Sequence, residues 1–273
     1  MQLILENYPT ILALMLTGVF AGLLAGLLGV GGGIVIVPVL YFLFQHFGVS
    51  PDSAMVIATA TSLATIIPTS ISSIRSHHKK GNVDIPLLKA WAGFILLGVL
   101  IGSYLVTKLN GQYLAGMFAV IATLAALNML FRAGKPAVFS SLPSMPGQSL
   151  MATTIGSLSA MVGIGGGTLS VPTLTACSYP AHKAVGTAAA IGLLISLPGA
   201  TMMLLFGTTP DDAPLLTFGL VNVVGFVCIV PLTVLFAPVG ANLASKLDAT
   251  LLKRIFAVTL LITGLRMLAQ VIL

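Results

Sequence analysis

The sequence predicts an all-α polytopic membrane protein built from two inverted repeats, each a glycine-tipped re-entrant helical hairpin followed by three transmembrane helices. Three observations carry this expectation. The 273-residue chain is 57% hydrophobic and only 7% charged, with a mean hydropathy of +1.10, outside the range of water-soluble domains. A glycine run is duplicated: Gly29-Val30-Gly31-Gly32-Gly33 recurs as Gly163-Ile164-Gly165-Gly166-Gly167, each followed by a Val-Pro pair, Val37-Pro38 and Val171-Pro172. Finally, the basic residues sort to one face only if each glycine-broken segment enters and leaves the membrane on the same side.

The elements follow in order. The first repeat covers residues 1–134, with its hairpin at about 10–47 and helices at about 53–75, 86–108 and 112–132. Charge-free windows such as 55–74 and 215–235 reach the ~18 residues that mark a candidate span. A linker at 135–148 lies in a stretch rich in Pro, Ser and Gly. The second repeat covers 149–273, with its hairpin at about 149–181 and helices at about 183–206, 214–237 and 250–272. Internal likeness supports the division. Ala60-Thr61-Ser62 resembles Gly186-Thr187-Ala188, and residues 102–109 match 240–247. At constant spacing the match continues through Leu114 and Leu252, Phe118 and Phe256, then Met129-Leu130 and Met267-Leu268.

The charge tally decides between a hairpin and a kinked span. If the glycine-broken segments cross the membrane, the twelve Lys and Arg residues divide seven against five. If they are hairpins, ten share one face and only Lys108 and Arg266 lie opposite. The positive-inside rule favours the second arrangement. Glu6, Asp52, Asp211 and Asp212 then fall on the lysine-poor side. The returning arms, 34–47 and 168–178, would span about 21 and 17 Å as helices, short for a full crossing. Each repeat then makes an odd number of crossings, which inverts one repeat against the other. The two glycine tips meet near the midplane, and both termini lie outside. Glu6 also stands where a cleavable signal peptide would be basic, so none is expected.

Two such tips suit an anion. Bare glycine backbone can face a cavity, and the helices starting at Ile34 and Thr168 present unpaired N–H groups and positive dipole ends. The candidate site is therefore Gly31, Gly32, Gly33 and Ile34 from one tip, with Gly165, Gly166, Gly167 and Thr168 from the other. The competing reading is that the glycines only permit a tight turn and close packing. The next helix carries Thr61, Thr65 and Thr69 one turn apart, with Ser62 and Ser73 nearby. Its counterpart keeps Thr187 but has Ile191 and Ile195. Thr61, Ser62, Thr187 and Thr59 join the candidate site, while Thr65 and Thr69 are assigned to packing.

Other features read as structure. Gly18, Gly22 and Gly26, and Gly98 with Gly102, are small-residue packing stripes. Pro68 and Pro198 kink their helices, and Trp91 is an interfacial anchor near a helix start. His77 and His78 sit in a basic loop without Cys or acidic companions, so no metal site is expected. Cys177 and Cys228 lie in apolar context and pack. The glycine runs fail the dinucleotide pattern, because Ile34 and Thr168 replace its last glycine, and no cofactor is expected. A pI of about 9.6 reflects loop charges that set topology, not a nucleic-acid surface. No paired acids, Cys-His set or metal ligands appear at membrane depth, so enzymatic activity is not expected.

Taken together, the two glycine runs with their Val-Pro pairs, the Ala-Thr-Ser and Gly-Thr-Ala helices, and His78-x-x-Gly81-Asn82-Val83-Asp84 resemble the TauE/SafE family of sulfite exporters over nearly the whole chain. The resemblance implies a secondary permease of the bacterial cytoplasmic membrane for sulfite or organosulfonates such as sulfoacetate. Many members have Thr-Ser where this chain has Thr187-Ala188, which removes one hydroxyl from the inferred site. An interior-negative potential favours anion exit by ~2.3 kcal/mol per charge per 100 mV, and no buried coupling carboxylate is evident, so export is expected. The expected partners are the small anion and the lipid bilayer; a homo-oligomer is left open. So are uptake or channel-like facilitation of other small organic anions, and a non-transporting membrane scaffold.

Overall fold

Helix starts and stops are written in local chemistry, and ten helices follow from it among the described residues, which are 8–131, 137–243 and 250–272, with side chains from 257 onward in the last segment. In this computed structural model they are α1 (Tyr8–Leu28), α2 (Gly33–His46), α3 (Pro51–His78), α4 (Ile85–Val106), α5 (Gly111–Phe131), α6 (Met145–Val162), α7 (Gly167–Ala176), α8 (Ala181–Phe206), α9 (Val223–Leu243) and α10 (Thr250–Ile272). Ser50 caps α3 by accepting the Ser53 N–H, with proline at the next position. Asp84 caps α4 through the Leu87 N–H at 3.0 Å. The Asp52 carboxylate accepts the Gly111 and Gln112 N–H groups, placing an acid at the positive end of α5. Six helices, α1, α3, α4, α5, α8 and α9, are long and apolar enough to cross a membrane. The protein is a polytopic all-α membrane protein.

Four expectations need correction. The helix expected at 214–237 begins only at Val223 and runs to Leu243. Residues before it form a two-residue antiparallel ladder, β1 (Thr217–Phe218) with β2 (Val221–Asn222). Asn222 ends that ladder and caps α9, its Oδ1 accepting the Gly225 N–H at 2.9 Å. An apolar window cannot reveal such a cap. The linker expected at 135–148 ends earlier, since α6 starts at Met145 with a proline in its first turn. Trp91 is not at an interface: it is fully buried and donates from its indole N–H to Gln148 Oε1 at 3.0 Å. His77 is not in a loop but in the last turn of α3, buried, with Nε2 2.9 Å from the Gly26 carbonyl oxygen. Expectations that concern Glu6, Arg132, Lys135, Lys246, Asp248, Leu252, Lys253, Arg254 and Phe256 fall on positions outside the described residues and side chains.

Four helix pairs build the bundle, and small residues allow their close approach. Gly18, Gly22 and Gly26 of α1 lie against Ile229, Thr233 and Ala237 of α9, so these helices run parallel. A β-carbon on Gly26 would sit 1.8 Å from the Ala237 carbonyl oxygen. Likewise α4 and α6 run parallel, Gly98 against Thr153 and Gly102 against Ser157. By contrast α3 and α8 run antiparallel, Leu63 meeting Gly199 and Ser70 meeting Gly192. The same holds for α5 and α10, where Gly116 faces Val271 and Gly264 faces Ala119.

The ends of the bundle are pinned by polar contacts. At one end Asp212 Oδ2 accepts the Ser50 N–H at 2.7 Å, and Gln270 donates to Gln45. At the other, Tyr179 donates to Asp84 and Lys80 Nζ donates to the Ala241 carbonyl at 2.6 Å. Arg75, Lys79, Lys80, Lys89 and Lys183 belong to this second end, and Lys108 and Arg266 to the first.

Candidate functional site

Residues 29–32 connect α1 to α2, with Gly29, Gly31 and Gly32 at φ of 68°, 73° and 80°. Such backbone is strained for any side-chain-bearing residue. The path turns back on itself: a β-carbon on Gly32 would lie 2.8 Å from the carbonyl oxygen of Ala21, two turns before the end of α1. Because α1 runs beside α9, this places the start of α2 level with the middle of α9. The second break joins α6 to α7 through Gly163, at φ 70°, which closes α6 as a left-handed C-cap.

The two glycine tips pack directly on each other. A β-carbon on Gly165 would lie 2.3 Å from the Val30 carbonyl oxygen and 3.0 Å from Gly31 Cα. One on Gly167 would lie 2.0 Å from the Gly29 carbonyl oxygen, and one on Gly33 would lie 2.5 Å from that of Gly163. The contacts are reciprocal, each run meeting the matching part of the other. Backbone proximity therefore accounts for the missing side chains at Gly33, Gly165 and Gly167.

The segments that form the tips and their arms, residues 17–40 and 155–175, carry no ionisable side chain. Ser62 Oγ donates to the Gly163 carbonyl at 2.7 Å, closing the C-cap of α6 from α3. Gly163 also abuts Thr59, whose hydroxyl is buried without a partner. Thr168, in the first turn of α7, is 6% exposed and its hydroxyl likewise has no partner. Ile34 is buried in the first turn of α2.

Thr61 and Thr187 stand apart from this cluster. The Asn222 N–H donates to Thr61 Oγ1 at 2.9 Å, and the Asp84 N–H donates to Thr187 Oγ1 at 2.9 Å. The antiparallel register of α3 and α8 sets the two threonines about 20 Å apart along the helix axes. Each belongs to one end of the bundle. Thr65 and Thr69 behave as packing residues: Thr65 donates to the Ser62 carbonyl, and Thr69 lies 2.6 Å from Thr233 Oγ1.

Several contributors lie outside the site expected from the sequence. Ser73 and His77 of α3 reach the Ala25 and Gly26 carbonyls in the last turn of α1, where Ala25 also accepts the Gly29 N–H. Asp84 and Asn222 cap corresponding helices, and their identical spacing to the matched 102–109 and 240–247 segments is a signal that could have paired them. Asp84 is held below the usual carboxylate range, first by the Leu87 N–H and then by the Tyr179 hydroxyl. Burial and the same contact push the Tyr179 phenol up. A separate open pocket of about 460 Å³ is lined by Phe42, Gln45, His46, Arg266 and Gln270, with the guanidinium 4.3 Å above the Phe42 ring. It lies at the far end of α2 from the tips. Among the described residues no group of three or more His, Cys, Asp or Glu is arranged to hold a metal.

The sequence pattern of sulfite exporter TauE/SafE matches residues 14–267. A probable membrane transporter protein of Haemophilus influenzae is 32% identical over 260 residues, covering 95% of this chain and 98% of that protein. A probable membrane transporter protein of Methanocaldococcus jannaschii is 27% identical, covering 93% and 94%. The probable membrane transporter protein YunE of Bacillus subtilis is 26% identical, covering 94% and 97%. No solved structure matches the chain.

Proposed function

Given that the chain belongs to the sulfite exporter TauE/SafE family and is a membrane transporter, we propose that it exports a small anion, sulfite or an organosulfonate such as sulfoacetate. One observation carries the reading. Two helix N-termini, those of α2 and α7, begin at glycine tips that touch, at mid-height of the bundle, in segments that carry no ionisable side chain. Positive dipole ends and first-turn N–H groups then meet an anion without a buried lysine to bind it too firmly for release. The family name supports the choice of sulfite among anions.

In this reading the repeats are inverted, with the two-fold axis in the membrane plane. The antiparallel runs of α3 on α8 and α5 on α10, together with the parallel pairs α1–α9 and α4–α6, support it. The end of the bundle holding Lys79, Lys80 and Lys183 faces the cytoplasm, and both termini face outward. Asp52, Asp84, Asp211 and Asp212 lie at helix ends or in loops, so no described carboxylate sits at mid-depth to drive uphill uptake.

Efflux of labelled sulfite or sulfoacetate from proteoliposomes tests the proposal. Flux that follows the electrical potential, outward under interior-negative conditions, is the expected result. A strict need for an inward proton gradient would replace export by coupled uptake, and the buried His77 would become the first coupling residue to examine.

A further inference from the structure

The two tips are not chemically equivalent. Aligned by the glycine runs and the helices after them, Ile34 corresponds to Thr168, Ile66 to Gly192, and Ser70 to Ser196. At the first tip Ile66 fills the space beside the glycines. Its side chain lies 3.1 Å from the β-carbon position of Gly31 and 2.9 Å from that of Gly33.

At the second tip the corresponding residue has no side chain. Around the β-carbon position of Gly192, outside its own helix and among the described residues, only two atoms come within 4 Å. They are Ser70 Oγ at 3.1 Å and Gly166 N at 3.8 Å. Both can donate a hydrogen bond. Ser70 comes from α3, is 1% exposed, and its hydroxyl has no partner. Thr168, in the first turn of the ten-residue α7, adds a second buried hydroxyl without a partner where the first tip has isoleucine. Buried hydroxyls in native proteins are satisfied as a rule, and exceptions point to a group that completes them. The Ser196 hydroxyl, the counterpart of Ser70, instead points back to the Leu193 carbonyl of its own helix.

Building on the anion-transport reading above, we infer that the anion seats on one side of the pseudo-two-fold. Its seat is the N-terminus of α7, where the Gly166 N–H, Ser70 and Thr168 hydroxyls donate and Gly192 leaves the clearance. The first tip, filled by Ile66, is the structural half. With the Ser70 hydroxyl and the Gly166 N–H beside the bare Gly192, and the Thr168 hydroxyl in the first turn of the same helix, three donors suit a compact oxyanion head with three acceptor oxygens better than a planar carboxylate. Ile191 and Ile195 flank Gly166 at 2.5 and 3.1 Å of its β-carbon position and limit the head group's size.

Calorimetric titration of the purified full-length protein in detergent with sodium sulfite, with sodium acetate in parallel, tests this. Ser70→Ala and Thr168→Val should each weaken sulfite binding about tenfold or more, the loss of a hydrogen bond to a charged group, and Gly192→Ala should weaken it by placing a methyl group against Ser70 and Gly166. Because the deleted hydroxyls have no partner, the ligand-free melting temperature of the first two should stay unchanged or rise. Ser196→Ala should bind as wild type, and acetate should bind more weakly than sulfite. Wild-type affinity in both Ser70→Ala and Gly192→Ala, or an equal loss in Ser196→Ala, overturns the one-sided seat while leaving anion transport standing. A wild-type protein that binds neither anion and passes no sulfite flux removes the proposed sulfite export, and this inference with it.

Discussion

Thr61 and Asn222 meet across the two halves of the chain, the backbone N–H of Asn222 donating to the threonine hydroxyl at 2.9 Å. The same bond recurs in reverse, from Asp84 to Thr187, at the same length. In both, a threonine early in the helix after the glycine tip holds the residue that caps a helix in the other half. The halves are thus interlocked at both ends of the α3–α8 pair, and neither polar clasp lies at the tips.

Thr61→Val and Thr187→Val should therefore cost stability. Each leaves an N–H at a helix entrance without its acceptor, a penalty of about 1–3 kcal/mol. Separated by the length of the α3–α8 crossing, the two losses should add in the double variant. Thermal melts in detergent read this directly. Unchanged melts with weakened anion binding would return both threonines to the ligand.

Alanine at the tip glycines should be far worse than alanine elsewhere. Gly165→Ala and Gly167→Ala drive a β-carbon to within 2.3 and 2.0 Å of a carbonyl oxygen of the opposite tip, so little folded protein should be recovered. Gly93→Ala on the exposed face of α4 meets nothing within 4 Å and should be neutral. Size-exclusion profiles of the three variants give the comparison. A monodisperse Gly167→Ala protein would contradict the tip-to-tip contact.

Asp84 should make stability fall on the acid side. Its carboxyl is depressed, chiefly by the Leu87 N–H and next by the Tyr179 hydroxyl. A depressed carboxyl contributes fully above its unfolded value, near pH 4, and loses that contribution as pH falls through the lower folded value. Asp84→Ala should lose about 1 kcal/mol of capping at neutral pH. It should also show a shallower decline of melting temperature below pH 4 than wild type. Tyr179→Phe should move the acid transition toward the ordinary carboxylate range.

His77 closes the C-terminus of α1, so its partner carbonyl should matter more than its charge. His77→Leu leaves the Gly26 oxygen unpaired in a buried place and should destabilise by about 1–3 kcal/mol. His77→Gln, which can still donate, should recover most of that loss. Equal melts for the two variants would show that the bond carries no weight.

What was readable in advance had a local cause. Charge-free windows reveal helices because crossing hydrocarbon demands uninterrupted apolar residues, and α3, α4, α5 and α8 begin and end close to where the composition puts them. The duplicated glycine runs marked the breaks because glycine alone sits comfortably at the positive φ found at Gly31, Gly32 and Gly163. Asn222 escaped notice because its cap is buried in an apolar window, and His77 because a histidine beside lysines looks like a loop residue.

Sequence by itself determined the class of protein, the position of both breaks and the uncharged character of the segments that form the tips, since these depend on composition and on backbone freedom within a few residues. Tertiary structure alone decided which glycines are bare because another backbone touches them, as at Gly165 and Gly167, and which hydroxyls are already spoken for, as at Ser62 and Thr61. Those outcomes hang on neighbours more than a hundred positions away in the chain. A hydroxyl has the same chemistry at Ser62 and at Ser70; only packing leaves one bonded and the other without a partner.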